Sequence, residues 1–240
     1  MRRLSGFHAI EEALRAGSVG SLLLSGSGPR IKDILELAAK KGLKVTKVTK
    51  AELDRLAPDN RGIVFETSSA EEVGGVDLDE FLAANAEKKE SLVLVLDHIE
   101  DPQNFGALLR SADVFACDLV IAPRRRAAPM TEAVQRASAG AAAYQPLALV
   151  ANLAEALRRL EKAGYWRYAA CMDGRPLPKA AFSARCVLVL GNEGSGVSRL
   201  LREDCDESVA IPMGGHVDSL NVSASGAILL YEYRRQHPGA

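Results

Sequence analysis

Residues 186–196 read Cys186-Val187-Leu188-Val189-Leu190-Gly191-Asn192-Glu193-Gly194-Ser195-Gly196, an apolar run that stops abruptly in a glycine-rich polar loop. A run this short, built of Val and Leu and ended by Gly, predicts a strand. Its lack of polar alternation predicts a parallel sheet covered on both faces. Two other stretches share the architecture. Residues 209–213 lead through Gly214-Gly215 to Ser219-Leu220-Asn221-Val222-Ser223. Residues 92–97 lead to Asp101-Pro102-Gln103-Asn104-Phe105-Gly106 and then Arg110. Three polar loops at the carboxyl ends of three apolar strands describe a ligand site, because that is where ligands gather in open α/β sheets.

Outward from these loops, strands are predicted at 92–97, 118–122, 144–147, 167–172, 186–190 and 208–211. Helices are predicted between and after them, at 103–115, 131–139, 153–163, 197–203 and 222–236. This alternation predicts a mostly parallel α/β domain over residues 92–240. Residues 1–68 predict a smaller α/β unit, with helices at 6–16, 31–41 and 51–56 and strands at 19–24, 43–48 and 62–66. Residues 69–91 predict a connector, small and acidic at first, with a short helix at 78–86.

The composition supports two cores and excludes several classes. With 240 residues, 48% of them hydrophobic, the chain can bury a large interior. No apolar run approaches the roughly 18–20 residues that span a bilayer. Cys117, Cys171, Cys186 and Cys205 form no Cys-x-x-Cys pair, which speaks against zinc or a disulfide framework and fits a reducing cytoplasm. His8, His98, His216 and His237 are scattered, so no metal site is expected. Net charge is −1, yet residues 1–68 carry 12 Lys/Arg against 8 Asp/Glu, and residues 69–91 carry 2 against 7. A basic front unit before an acidic connector permits local phosphate contacts without general attraction to polyanions. Arg124-Arg125-Arg126 reads either as a phosphate-binding cluster or as an exposed charge run.

Each loop has a structural and a chemical reading. Asp101-Pro102 is a helix start, with Asp as the cap and Pro in the first turn. Leu108, Ser111, Ala112 and Phe115 then form the stripe that faces the sheet. Arg110, roughly 200° round the helix from Leu108, points away from it. Asn104 lies one turn before Leu108 on the sheet side. The 191–196 loop lacks the Gly-Lys-Ser/Thr of a phosphate-binding loop and the spacing of a dinucleotide fingerprint, so alone it reads as a tight turn. Glu193 within it is less ordinary, a carboxylate held near a strand end. Ser219 and Asn221 serve equally as helix caps or as site residues. Val222, Ser225 and Gly226 give the last helix a small face that predicts close packing. His216 and Asp218 beside Ser219 do not make a hydrolase, since no Gly-x-Ser-x-Gly elbow exists.

Taken together, Asn104-Phe105-Gly106-x-x-x-Arg110, Gly191-Asn192-Glu193-Gly194-x-Gly196 and Ser219-Leu220-Asn221-Val222-Ser223-x-Ser225 resemble the three motifs of the SpoU (TrmH-like) RNA ribose 2′-O-methyltransferases. The front segment, from Gly6-Phe7-His8-Ala9-Ile10 to Gly62-Ile63-Val64, resembles the ribosomal-protein-L30e-like substrate-binding domain of the ribosomal RNA guanosine branch. That domain often ends in a His-Gln-Gly turn, where this chain has Asn60-Arg61-Gly62.

The resemblance implies a SPOUT-type trefoil-knotted domain that dimerises near its active site and holds S-adenosyl-L-methionine in the 191–196 and 211–222 loops. It implies cofactor contacts at Gly191, Ile211 and Leu220, and catalytic roles for Asn104, Arg110, Glu193, Ser219 and Asn221. The reaction implied is methyl transfer to a ribose 2′-oxygen of ribosomal RNA, most specifically a guanosine of the large-subunit (23S) RNA, with no metal. Family models make the arginine the base. A guanidinium, whose pKa lies above about 12, deprotonates at high cost. Arg110 is therefore read as an electrostatic stabiliser of the developing alkoxide and a phosphate anchor, with the proton acceptor left open. The alternatives are a transfer-RNA or antibiotic-resistance 2′-O-methyltransferase, or a non-catalytic RNA-binding assembly factor on the same scaffold.

Overall fold

The computed structural model describes residues 2–15, 18–57, 60–67, 75–124, 131–216 and 219–239. Gly17, Pro58, nearly all of the small acidic stretch at 68–75, Arg125, Arg126 and Asp218 lie outside the described residues. The chain divides into two compact units, Met1–Val73 with Ala139–Tyr144, and Gly74–Ser138 with Gln145–Ala240.

The first unit holds β1 (Arg2–Ser5), α1 (Phe7–Arg15), β2 (Gly20–Leu24), α2 (Pro29–Lys40), β3 (Lys44–Lys47), α3 (Lys50–Leu56) and β4 (Ile63–Thr67). Its sheet runs β1-β4-β2-β3, antiparallel except for the β2–β3 pair. Side chains alternate along β2 and β4, which sorts the core into two. Leu22, Leu24, Ile63 and Phe65 pack with Ile10, Leu14 and Ile34 of α1 and α2. Leu23 and Val64 pack with Leu53 of α3. Thr49 and Glu52 close a capping box at the start of α3, each answering the other's backbone N–H. Strand β1 is absent from the sequence reading: Arg-Arg-Leu-Ser has no alternation to follow, and pairing with β4 makes it a strand. Asn60 explains the Asn60-Arg61-Gly62 turn. Its buried amide donates to Asp54 Oδ1 (2.8 Å) and to the Ala57 carbonyl (2.7 Å), and its oxygen accepts the Gly62 N–H (2.8 Å). A single turn of 3₁₀ helix, Ala141–Ala143, packs on α1 and belongs to this unit despite its distance in sequence.

The second unit holds α4 (Leu78–Ala84), β5 (Ser91–Asp97), α5 (Pro102–Val114), β6 (Leu119–Pro123), α6 (Glu132–Ala137), β7 (Leu147–Val150), α7 (Leu153–Lys162), β8 (Trp166–Pro176), β9 (Arg185–Gly191), α8 (Arg199–Glu203), β10 (Glu207–Ala210) and α9 (Val222–Gln236). All six strands are parallel, in the order β10-β8-β9-β5-β6-β7. The order reverses direction between β5 and β9, which makes that junction the topological switch point. One face of the sheet packs Val93, Val95, Ile121, Val187 and Val189 against α4, α7 and α8. Helix α4, expected inside a connector running to residue 91, buries Leu78 and Phe81 in that same core.

Helices α5 and α9 pack against each other, and α9 against β9. A Cβ at Gly226 would lie 2.3 Å from Leu108 Cδ2 and 2.9 Å from Leu190 Cδ1, so the small face of α9 is what permits the approach. Of the stripe expected to face the sheet, Leu108 and Ala112 are fully buried. Phe115 is only part-buried, edge-on to Tyr231 of α9. The strand expected at 144–147 begins instead at Leu147, and β8 runs four residues beyond its expected end.

Helix α5 touches α6 as closely as α9. At Gly106 a Cβ would sit 2.5 Å from Ala137 Cβ and 2.7 Å from the Val134 carbonyl. Gly106→Ala is therefore expected to force the two helices apart and to lower stability by about 1–3 kcal/mol. Urea unfolding would read this as a lower midpoint at an unchanged slope.

Candidate active site

The site is assembled on the switch point. Strands β5 and β9 are paired in register from Ser91↔Arg185 to Asp97↔Gly191, so both chains leave the sheet at the same level. After Gly191 the chain turns back on itself. A Cβ on Gly191 would fall 1.9 Å from the Gly196 carbonyl carbon and 2.0 Å from the Val197 nitrogen, inside covalent-scale distance. Glycine is thus the only residue that fits at 191. Gly196, at φ +68°, takes the left-handed conformation that closes the loop. The Gly196 N–H donates to the Asn192 carbonyl at 2.8 Å. The Asn192 side chain accepts from the Gly194 N–H (2.9 Å) and donates to the His98 carbonyl (3.0 Å), tying this loop to the one after β5.

Three side chains join the three loops. Asp101 caps α5 with Pro102 in its first turn, which fixes Asn104 at the helix entrance. The Asn104 amide donates to Glu193 Oε1 at 2.7 Å, and its oxygen accepts from Asn221 Nδ2 at 2.8 Å. The Asn221 oxygen in turn accepts the Ser223 N–H at 2.9 Å and so caps α9. Asn221 therefore caps α9 and bonds Asn104 at once, because an amide offers a donor and an acceptor.

Beside this chain of amides lies a cleft of about 530 Å³. Gly191, Glu193, Ile211, Ser219 and Leu220, all singled out from the sequence, line it. Asn104 and Asn221 are linked to it through Glu193 but are not in its lining. Arg110 is not brought in either. It is exposed on α5 and has no side-chain hydrogen bond or ion pair among the described residues.

One wall of the cleft, residues 170–173 in the middle of β8, is not among the positions singled out from the sequence. Ala170, Cys171 and Met172 fall within the strand expected at 167–172 and belong to no motif, and Asp173 lies just past its end. Here Arg202 donates to Asp173 at 2.8 Å and holds that carboxyl below its ordinary range. Half-buried Cys171 also lines the cleft, its thiol pushed up by burial. Among the described residues, no three His, Cys, Asp or Glu side chains converge as metal ligands would. Among the same residues no helix is long and apolar enough to cross a membrane.

Residues 91–231 match the SpoU rRNA methylase family. The chain belongs to that family. Residues 3–73 match the RNA 2′-O ribose methyltransferase substrate-binding family as well. Two similar proteins cover nearly the whole chain. A Staphylococcus haemolyticus protein named for the TrmH family of tRNA/rRNA methyltransferases is 37% identical over 97% of this chain and 95% of its own length. The 23S rRNA (guanosine-2′-O-)-methyltransferase RlmB of Vibrio vulnificus is 35% identical over 96% of this chain and 95% of its own. Among solved structures, the SpoU methyltransferase AviRb from Streptomyces viridochromogenes, in complex with the cofactor AdoMet, is 26% identical with a TM-score of 0.82. It covers 99% of this chain and 91% of that one. The expected fold, an α/β enzyme with a parallel SPOUT-type sheet and a separate substrate-binding domain, is the one found.

The contact at Gly191 yields a direct test. Gly191→Ala must reopen the 191–197 turn, so loss of S-adenosyl-L-methionine binding in calorimetry is expected, at least about tenfold in Kd. Asn192→Ala, which removes only the Asn192 side-chain hydrogen bonds, is expected to have the smaller effect.

Proposed function

We propose that the protein methylates the ribose 2′-oxygen of a guanosine in large-subunit (23S) ribosomal RNA, with S-adenosyl-L-methionine as methyl donor. The observation that carries this reading is the Glu193–Asn104–Asn221 chain of hydrogen bonds at the mouth of the cleft. It draws together three motifs that lie 89 and 117 residues apart in sequence. The RlmB relative supports the guanosine and the ribosomal substrate. The front domain, read as residues 1–68, supports RNA as the polymer, since its family is a substrate-binding one.

The cleft fits the donor. Its volume lies within the few-hundred to thousand Å³ range of cofactor pockets. Gly191, Gly194 and Gly196 leave backbone groups bare, and exposed Leu220 and Met213 offer apolar surface to an adenine ring. Gly191, Ile211 and Leu220 would hold the adenosyl part. When bound, the cofactor supplies a methyl group activated by its sulfonium charge.

This chain's own residues supply position and charge. Asn104 fixes the Glu193 carboxylate, Asn221 ties the opposite loop to Asn104 and Ser219 lines the cleft beside them, so the ribose hydroxyl meets prepared partners. Arg110 stabilises the developing alkoxide and anchors a neighbouring phosphate. Because it stands on the exposed side of α5, it serves a site completed by a second copy of the chain. An apolar strip on the same helix pair supports such a homodimer, with Val114 66% and Tyr231 56% exposed. We further read the 191–196 and 211–222 loops as the threads of a trefoil knot. The cytoplasm is the compartment in which its four free cysteines stay reduced.

Arg110→Ala is expected to abolish methylation while leaving cofactor binding nearly intact. In a thermal-shift assay, parent and variant should both gain about 2.7 kcal/mol at a cofactor concentration 100 times Kd. Full turnover in the variant would remove the assigned role. Mapping ribose methylation in ribosomal and transfer RNA from cells lacking the protein names the substrate. A missing methyl group in transfer RNA alone would replace the ribosomal reading.

A further inference from the structure

A second cavity, of about 740 Å³, opens at the carboxyl ends of β5, β6 and β7. It shares no lining residue with the cofactor cleft, but one loop borders both. A smaller hollow lined by Asp97, His98 and Ser198 adjoins it and reaches Asn192, Ser195 and Gly196, which also line the cleft. The 191–198 loop is thus common to both.

The cavity has a built polar end. Asp97 is 2% exposed, yet both of its oxygens are used. Oδ2 accepts the Ser198 N–H at 2.7 Å, and Oδ1 pairs with His98 Nδ1 at 2.5 Å. A carboxylate accepts, so Nδ1 donates to it and Nε2 is the ring atom left for a ligand. His98 holds this pose at φ +58°, a conformation non-glycine residues adopt at some cost. Across the cavity, Arg124 Nε donates to the Leu149 carbonyl at 3.0 Å. Its two terminal nitrogens have no partner among the described residues. Pro123, Ala151 and exposed Leu200 supply apolar wall.

We propose that this cavity seats a nucleotide of the substrate RNA other than the one methylated. Its phosphate lies against Arg124, its base against Pro123, Ala151 and Leu200, and its ribose hydroxyl on His98 Nε2. The combination suits RNA. Splayed bases need apolar wall, phosphates need a guanidinium, and a 2′-hydroxyl, donor and acceptor at once, can pair with an imidazole nitrogen. Glu100, exposed in the smaller hollow, repels phosphate there and orients the strand with its anionic edge toward Arg124. The inference rests on the reading of the protein as an RNA methyltransferase.

The test uses the full-length protein, RNA from cells lacking it, and two variants. His98→Asn keeps a residue that tolerates positive φ, and Arg124→Gln changes an exposed side chain. Each is expected to raise KM for RNA about tenfold, with kcat and cofactor Kd close to parent. Arg124→Gln should also lower the slope of log binding constant against log salt by about 0.7, the value of one single-strand phosphate contact. His98→Asn should leave that slope alone. Unchanged KM and slope in both variants would overturn the proposal, as would a loss confined to kcat. Failure of the parent protein to methylate any of this RNA would overturn the enzymatic reading instead.

Discussion

The contact on which the site depends is backbone against backbone, where the end of β9 meets the returning chain at Gly196 and Val197. No side chain fits between them. The closeness puts the loop's peptide groups at the cleft wall, with no Cβ at 191 to fill the space. It also brings Ser198 over the sheet edge, where its N–H reaches Asp97 and satisfies a carboxylate that is otherwise buried. One glycine contact therefore sets both a wall of the cleft and the polar end of the neighbouring cavity.

The amide chain is the second constraint. Asn104 and Asn221 each use a donor and an acceptor, which an ionised carboxylate, an acceptor only, could not do. Both stand at helix starts, Asn104 in the first turn of α5 that Asp101 caps and Asn221 as the cap of α9. Capping a helix and joining the loops are thus not rival roles. The cap orients the amide, and the oriented amide joins the loops.

Much of this was legible in the sequence, for identifiable reasons. The run 186–190 has no polar residue and is buried throughout, so composition alone announced an interior parallel strand. The small face of α9 announced its packing, which the fit of Gly226 against Leu108 and Leu190 bears out. Strand β1 and the far end of β8 were not legible. Each becomes a strand by pairing with chain elsewhere, β1 on β4 and the end of β8 on β10 past a register shift. Arg110 shows a different limit. Helical phase gave its outward direction correctly, but phase carries no information about what stands opposite it. Pocket-lining positions in glycine-rich loops were legible through their motifs, whereas Cys171 and Asp173 belong to no motif and emerged only from the fold.

The 3₁₀ turn at Ala141–Ala143 has a consequence for biosynthesis. It completes the first unit, yet it is translated only after α4 to α6 and the strands among them have been made. At roughly 5–20 residues per second, a nascent chain waits several seconds between finishing β4 and receiving this last piece of the same body. During that interval the flank of α1 that this turn covers is left open to solvent.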